Sequence, residues 1–249
     1  MRRPARRSIP TTIAHFVAAA LLATTSAAQA QVDAAAADAL ACAAAAQAPD
    51  GGVLETVVER GTLTYFGPGG QPAAAFDYVS ITDVVAERVR LELYLGDQLV
   101  VVQQSADDAA FTFTPQAGVL EMPATERAAL EEGFVVGMLG VALGAARDTA
   151  TFVGANELAG TAGERIDLVS RGVAHTVLVD ADCLLVVEVT TNAQLGELVT
   201  RYGAYRDVDG WTLPALADVF IGGAPFARTE TRETRVNVAL DADAFARPE

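Results

Sequence analysis

The chain has 249 residues and a formal net charge of −15, and all 17 of its basic residues are arginines. So negative a surface repels phosphate backbones and anionic lipid headgroups, which argues against nucleic-acid binding and against docking on a membrane surface. The length and the 51% of hydrophobic residues suffice for one domain with a sizeable core.

The first thirty residues have the pattern of a secretory signal peptide. Four arginines stand within residues 2–7, and residues 13–28 contain no acidic side chain. Ala28-Gln29-Ala30 then fits the small-x-small rule for signal peptidase. An N-terminal membrane anchor is the alternative, but the apolar run is short for a hydrocarbon core of about 30 Å. We therefore predict an exported protein with a signal peptide at 1–30, a single mature domain at 31–249, and no transmembrane segment in that domain.

The mature chain begins with a predicted helix at residues 33–47, which are nearly all alanine and precede Asp50-Gly51-Gly52. Cys42 lies in this helix, and Cys183 is the only other cysteine. Export favours disulfides. A Cys42–Cys183 disulfide and two buried free thiols both remain open at this point.

Beyond this helix the sequence predicts strands, because alternating segments are separated by turn signals every eight to twelve residues. The clearest strand is 88–95, with Val and Leu on one face and the charged residues and Tyr94 on the other. The strands predicted in the C-terminal half are 151–153, 165–170, 173–179, 184–190, 198–206, 212–221 and 227–238. Short connections impose antiparallel neighbours, so we expect one large meander.

Residues 124–147 interrupt the strands with a second predicted helix. Its acidic residues are confined to the first half, whereas residues 134–146 are apolar on every side. That half is too short to cross a membrane. It is either buried all round as an ordinary core helix, or it covers an apolar cavity as a lid.

Signatures of catalysis are missing from the mature sequence. His175 is its only histidine, and its position on a strand face with Val177 and Val179 predicts a core histidine bonded to a carbonyl. The sequence has no Ser-His-Asp or Cys-His pattern, no zinc spacing and no phosphate loop. Asp207-Val208-Asp209-Gly210 lacks the other ligands of a calcium loop and reads as a turn. We predict no cofactor, no metal and no enzyme activity, with a hydrolase as the remaining alternative.

The C-terminal half resembles outer-membrane lipoprotein-sorting proteins of the LolA/LolB-like superfamily. Residues 154–169 give a strand, a glycine turn and a strand, followed by a hairpin at 177–180, the segment 205–214 and the ending 236–245. The resemblance implies an α+β half-barrel: a single strongly curved antiparallel sheet, an incomplete β-barrel, with helices covering the concave face over an apolar cavity. It also implies a periplasmic protein that carries or senses lipidated partners.

Two functions follow from such a fold. In the first, the chain binds a lipid or a lipoprotein acyl chain in a cavity lined by the apolar helix. The predicted ligand-binding residues are Phe134, Val135, Met138, Val141 and Leu143. In the second, a regulatory or scaffold protein uses the same fold to contact an envelope protein, with the polar strand 228–235 as an exposed edge.

Overall fold

The computed structural model describes residues 32–49, 52–107, 109–131, 147–170, 173–192 and 195–248. These ranges contain two helices, α1 (Ala34–Gln47) and α2 (Ala124–Glu131). Their thirteen strands are β1 (Thr56–Phe66), β2 (Pro72–Asp83), β3 (Arg88–Leu95), β4 (Gln98–Ala106), β5 (Ala109–Thr114), β6 (Gly118–Glu121), β7 (Arg147–Leu158), β8 (Thr161–Ser170), β9 (Val173–Val179), β10 (Leu185–Asn192), β11 (Gly196–Val208), β12 (Trp211–Ile221) and β13 (Ala224–Val236). No helix within these ranges is both long and apolar enough to cross a bilayer.

All thirteen strands belong to one open antiparallel sheet, in the order β6-β5-β4-β3-β2-β1-β13-β12-β11-β10-β9-β8-β7. The prediction of one meander is wrong, because the strands do not follow one another across the sheet in chain order. Two meanders, β1–β6 and β7–β13, are joined by the pairing of β1 with β13. The reason is that the helical segment after β6 interrupts the succession of hairpins. The ends of the sheet are β6 and β7, as expected for an incomplete barrel.

The strand 228–235 is not an edge. It lies in β13, which pairs with β1 on one side and β12 on the other. Its alternating Thr, Glu and Arg side chains reflect a polar outer face in the middle of the sheet. The predicted scaffold contact at this strand is therefore wrong.

The predicted elements otherwise recur with shifted ends. Residues 33–47 become α1, and the segment 173–179 is β9 with the predicted bounds. The second predicted helix begins as α2, but Arg147 already belongs to β7. Residues 132–146 lie outside the described part of the chain.

Both described helices contact the same face of the sheet, which we call the helix-bearing face. One side of α1 buries Ala36, Ala39, Leu40 and Ala43, at the i, i+3, i+4, i+7 spacing of a helix face. These residues pack on apolar side chains of β7 to β10, namely Ala150, Ile166, Leu168, Val177, Val179 and Leu185. At the other half of the sheet, Ser105 of β4 donates a 2.5 Å hydrogen bond to Glu131 of α2.

The opposite face of β3 and β4 is covered by the C-terminal segment, residues 241–248. Arg90 is buried, and its Nη1 donates hydrogen bonds to Gln104 Oε1 and to the Ala246 carbonyl, each at 2.7 Å. Gln104 Nε2 donates to the carbonyl of Phe245. The charged face predicted for β3 therefore binds the end of the chain.

Candidate functional site

A strip of half-buried apolar side chains lies on the helix-bearing face in the middle of the sheet, on β2, β1, β13 and β12. Leu63 of β1 is directly opposite Phe76 of β2. The Tyr65 ring meets the rings of Phe76 and Phe226 edge to face, with centroids 6.3 and 5.7 Å apart. Burial raises the pKa of the Tyr65 hydroxyl. We call Leu63, Tyr65, Phe76, Val219 and Phe226 the apolar strip; all five are half-buried.

A polar cluster adjoins the apolar strip along β1. The Tyr78 ring crosses Gly61, and its hydroxyl is 2.7 Å from Thr231 Oγ1. A Cβ at Gly61 would lie 2.1 Å from the Glu230 carbonyl oxygen and 2.8 Å from the Tyr78 ring, so only glycine fits there. Burial raises the pKa of Tyr78, and the charge of Glu59 raises it further.

Glu59 is the titratable group of this cluster. Burial raises the pKa of its carboxyl to about 7, although the nearby Arg206 guanidinium acts in the opposite direction. Arg206 itself donates to the carbonyl of Thr231. Next to the apolar strip there is thus a carboxyl group that is only partly ionised at neutral pH.

A second buried polar group links β9, β10 and β11. Glu188 lies 2.9 Å from His175 Nδ1 through one oxygen and accepts from the Tyr202 hydroxyl at 2.7 Å through the other. Burial raises the pKa of Tyr202, and the Glu188 charge adds to the effect. The Nδ1 partner of His175 is thus a carboxylate, whereas the sequence predicts a carbonyl. The arrangement holds three strands together beneath α1.

The helix α1 is fixed at two points. Asp33 accepts hydrogen bonds from the amides of Ala36 and Phe152, at 2.6 and 2.7 Å, so one carboxylate caps the helix and binds the edge strand β7. These bonds, first the one from Ala36, lower the pKa of Asp33. Further along, Cys42 forms a disulfide with Cys183 in the turn before β10, with Cα atoms 5.5 Å apart. Of the two states that the sequence leaves open, the structure has the bond.

The ligand-binding residues predicted from the sequence lie outside the described part of the chain. These are Phe134, Val135, Met138, Val141 and Leu143. The apolar strip was missed, although the alternation of Leu63 and Tyr65 with threonines is a visible signal of a strand with one apolar face. Among the described residues, no group of three or more His, Cys, Asp or Glu side chains could hold a metal ion.

Comparison with known proteins identifies the fold. No protein-family model matches the chain, and no curated protein matches it. Among solved structures, an outer membrane lipoprotein-sorting protein domain from Vibrio parahaemolyticus is similar with a TM-score of 0.54 and 8% identity, over 77% of this chain and 89% of that one. A DUF1329 family protein from Desulfovibrio piger gives 0.60 and 10%, over 84% and 96%.

A LolA superfamily protein from Nitrosomonas europaea is also similar, with a TM-score of 0.58 and 9% identity, over 84% of this chain and 96% of that one. Identities this low establish the fold alone. The chain therefore has a LolA-like fold, which confirms the resemblance seen in its C-terminal half.

Proposed function

We propose that this chain is a periplasmic, non-enzymatic protein that binds an apolar ligand, a lipid or a lipoprotein acyl chain, on the helix-bearing face of an incomplete barrel. The apolar strip is the observation that carries the proposal. Its side chains are in the middle of a sheet whose two flanks are packed against helices, yet they are only half-buried. A central position on a packed face ordinarily buries such residues completely.

An acyl chain matches this strip in chemistry and in energy. Each methylene removed from water contributes about 0.8 kcal/mol, so a chain of about ten methylenes contributes about 8 kcal/mol before the costs of binding. Three aromatic rings and two aliphatic side chains supply the apolar surface. The similarity to a lipoprotein-sorting domain supports a ligand of this class.

The remaining parts of the proposal follow from the sequence. We propose that residues 1–30 are removed on export and that residues 31–249 form one domain. The helices would cover the concave face, and Phe134, Val135, Met138, Val141 and Leu143 would complete the lining opposite the apolar strip. The acidic surface suits a carrier that must leave anionic membranes after loading.

Native mass spectrometry with lipid extraction tests the proposal on the mature protein, purified without detergent from an export-competent host. The expected result is a stoichiometric adduct of lipid mass. Leu63→Asp places a charge in the strip and should abolish the adduct, whereas Leu120→Asp, at a residue 56% exposed on the edge strand β6, makes the same change away from the strip and should retain it. Urea unfolding of both variants checks that they remain folded.

A mass that stays bare after incubation with phospholipid and acylated peptide would contradict ligand binding. A specific envelope protein recovered by crosslinking, without bound lipid, would then support the scaffold function.

A further inference from the structure

The face of the sheet opposite the helices contains a groove that the proposed carrier site does not use. It lies on β7 to β12 and has a volume of about 530 Å³. Its lining includes Arg165, Thr176, Val189, Val199, Arg201 and Phe220, and the carboxylate of Glu197 lies at the same groove. Small-molecule sites typically measure about 300–1,000 Å³, so the groove is large enough for one small ligand.

The floor of the groove is a cross-strand row of side chains. Thr176, Val189, Val199 and Phe220 are successive register partners on β9, β10, β11 and β12. The two valines and the phenylalanine are half-buried. Because their strands are about 4.8 Å apart, they form a continuous apolar track about 10 Å long.

Arg201 stands beside this track with much of its hydrogen-bonding capacity unused. Its guanidinium stacks on the Phe220 ring, 4.4 Å from the centroid. Its nearest described oxygen partners, Ala159 O at 3.5 Å and Asp218 Oδ2 at 3.6 Å, are too far for strong hydrogen bonds. Asp218 is instead engaged by Arg228, at 2.6 and 3.1 Å.

Arg165 lies on the other side of the groove, and its guanidinium, unlike that of Arg201, is fully paired with a carboxylate. Asp167 holds it through two hydrogen bonds of 2.8 and 3.0 Å. Asp167 also accepts from the hydroxyl of Thr176. Arg165 therefore forms a wall of the groove, and Arg201 is the cation available to a ligand.

We propose that this groove binds a monocarboxylate with an aliphatic chain, such as a medium-chain fatty acid. The carboxylate accepts from the guanidinium of Arg201, whose flat face is occupied by Phe220 while its edge can donate two parallel hydrogen bonds. The aliphatic chain lies on Val189 and Val199. The guanidinium of Arg201 beside the apolar track is complementary to the negative head and the apolar tail of such a ligand.

Isothermal titration calorimetry with decanoate, below its micellar concentration, tests the site in the mature protein. Arg201→Gln should weaken decanoate binding about tenfold or more, because hydrogen bonds to a charged group are lost. Arg235→Gln is the matched control: it also removes an exposed arginine of the sheet but lies outside the groove, and it should leave the affinity within about twofold. Arg201→Lys keeps the charge without the planar fork and should give an intermediate affinity.

Two further titrations assign the binding to this groove. The decanoate binding that Arg201→Gln weakens should persist in Leu63→Asp, since the apolar strip is on the other face, and 1-decanol should bind Arg201→Gln and the unmodified protein equally. The proposal is overturned if decanoate shows no saturable binding, if Arg201→Gln and Arg201→Lys both match the unmodified protein, or if Leu63→Asp alone removes binding. A peptide ending in valine that binds more tightly than decanoate would overturn the fatty-acid assignment in favour of a peptide carboxylate.

Discussion

Replacing both cysteines with serine should remove a large part of the stability of the mature protein. The Cys42–Cys183 disulfide spans 141 residues of sequence. In the chain-entropy model, a closed loop of this length destabilises the unfolded chain by about 5 kcal/mol. Typical domains have an unfolding free energy of about 5–15 kcal/mol, so C42S/C183S should lose a third or more of it.

The folded state adds a local consequence. The face of α1 that contacts the sheet consists of Leu40, three alanines and Gln47, which offer little apolar surface for docking. Without the disulfide, α1 is held by that surface and by the Asp33 cap. Amide hydrogen exchange in α1 should therefore accelerate more than exchange in β1 and β13, which lie at the centre of the sheet.

Urea unfolding with linear extrapolation measures the global effect, and hydrogen exchange with mass spectrometry measures the local one. Ala45→Ser, at an exposed position of α1, is the control for placing serine in this helix. A loss below about 1 kcal/mol in the double variant would refute the loop argument. Equal acceleration of amide hydrogen exchange in α1 and β1 would refute the argument that the disulfide holds α1 on the sheet.

Two further predictions concern the sheet. Burial raises the pKa of Glu59 from 4.5 to about 7, so the folded chain holds this proton more tightly than the unfolded chain. The resulting stability is present below pH 4.5 and is lost as the pH rises to 7. The loss is at most about 3 kcal/mol. The urea midpoints measured at pH 5 and at pH 8 should differ less in Glu59→Gln than in the unmodified protein. An equal difference in the two proteins would contradict the role of Glu59. Arg90→Met should release the C-terminal segment and lower the unfolding free energy by about 2 kcal/mol, because bonds from Arg90 to Gln104 and Ala246 are lost. Carboxypeptidase should digest Arg90→Met faster than Arg60→Met, a control at an exposed arginine. Equal rates would argue against the anchoring of the C-terminal segment by Arg90.

Local features of the fold could be predicted from the sequence because their signals are local. The segment 173–179 contains four β-branched residues and precedes an Asp180–Asp182 turn, and β9 has the predicted bounds. The alanine-rich segment before Asp50 likewise becomes α1. In both cases the information is contained within a few residues.

Pairings between distant parts of the chain could not be predicted in this way. Nothing near Val57 indicates that it faces Val236, so the sequence predicts one meander and an edge at residues 228–235. The apolar strip depends on the same pairing, since Leu63 and Tyr65 meet Phe226 and Val219 only after β1 joins β13. The groove around Arg201 depends on register in the same way, because it combines side chains from six strands.

The pairing of β1 with β13, which we call the seam, also sets the order in which the sheet forms. A chain that emerges from its N-terminus presents Val57 long before Val236 appears, so neither meander can complete the centre of the sheet until the last strand has arrived. Hairpins within each meander need only short loops, whereas the seam must close the longest loop in the fold, and such contacts form slowly. While the chain is still emerging, β1 therefore has one unpaired side. The last strand to appear both removes that exposed edge and brings the two halves of the molecule together.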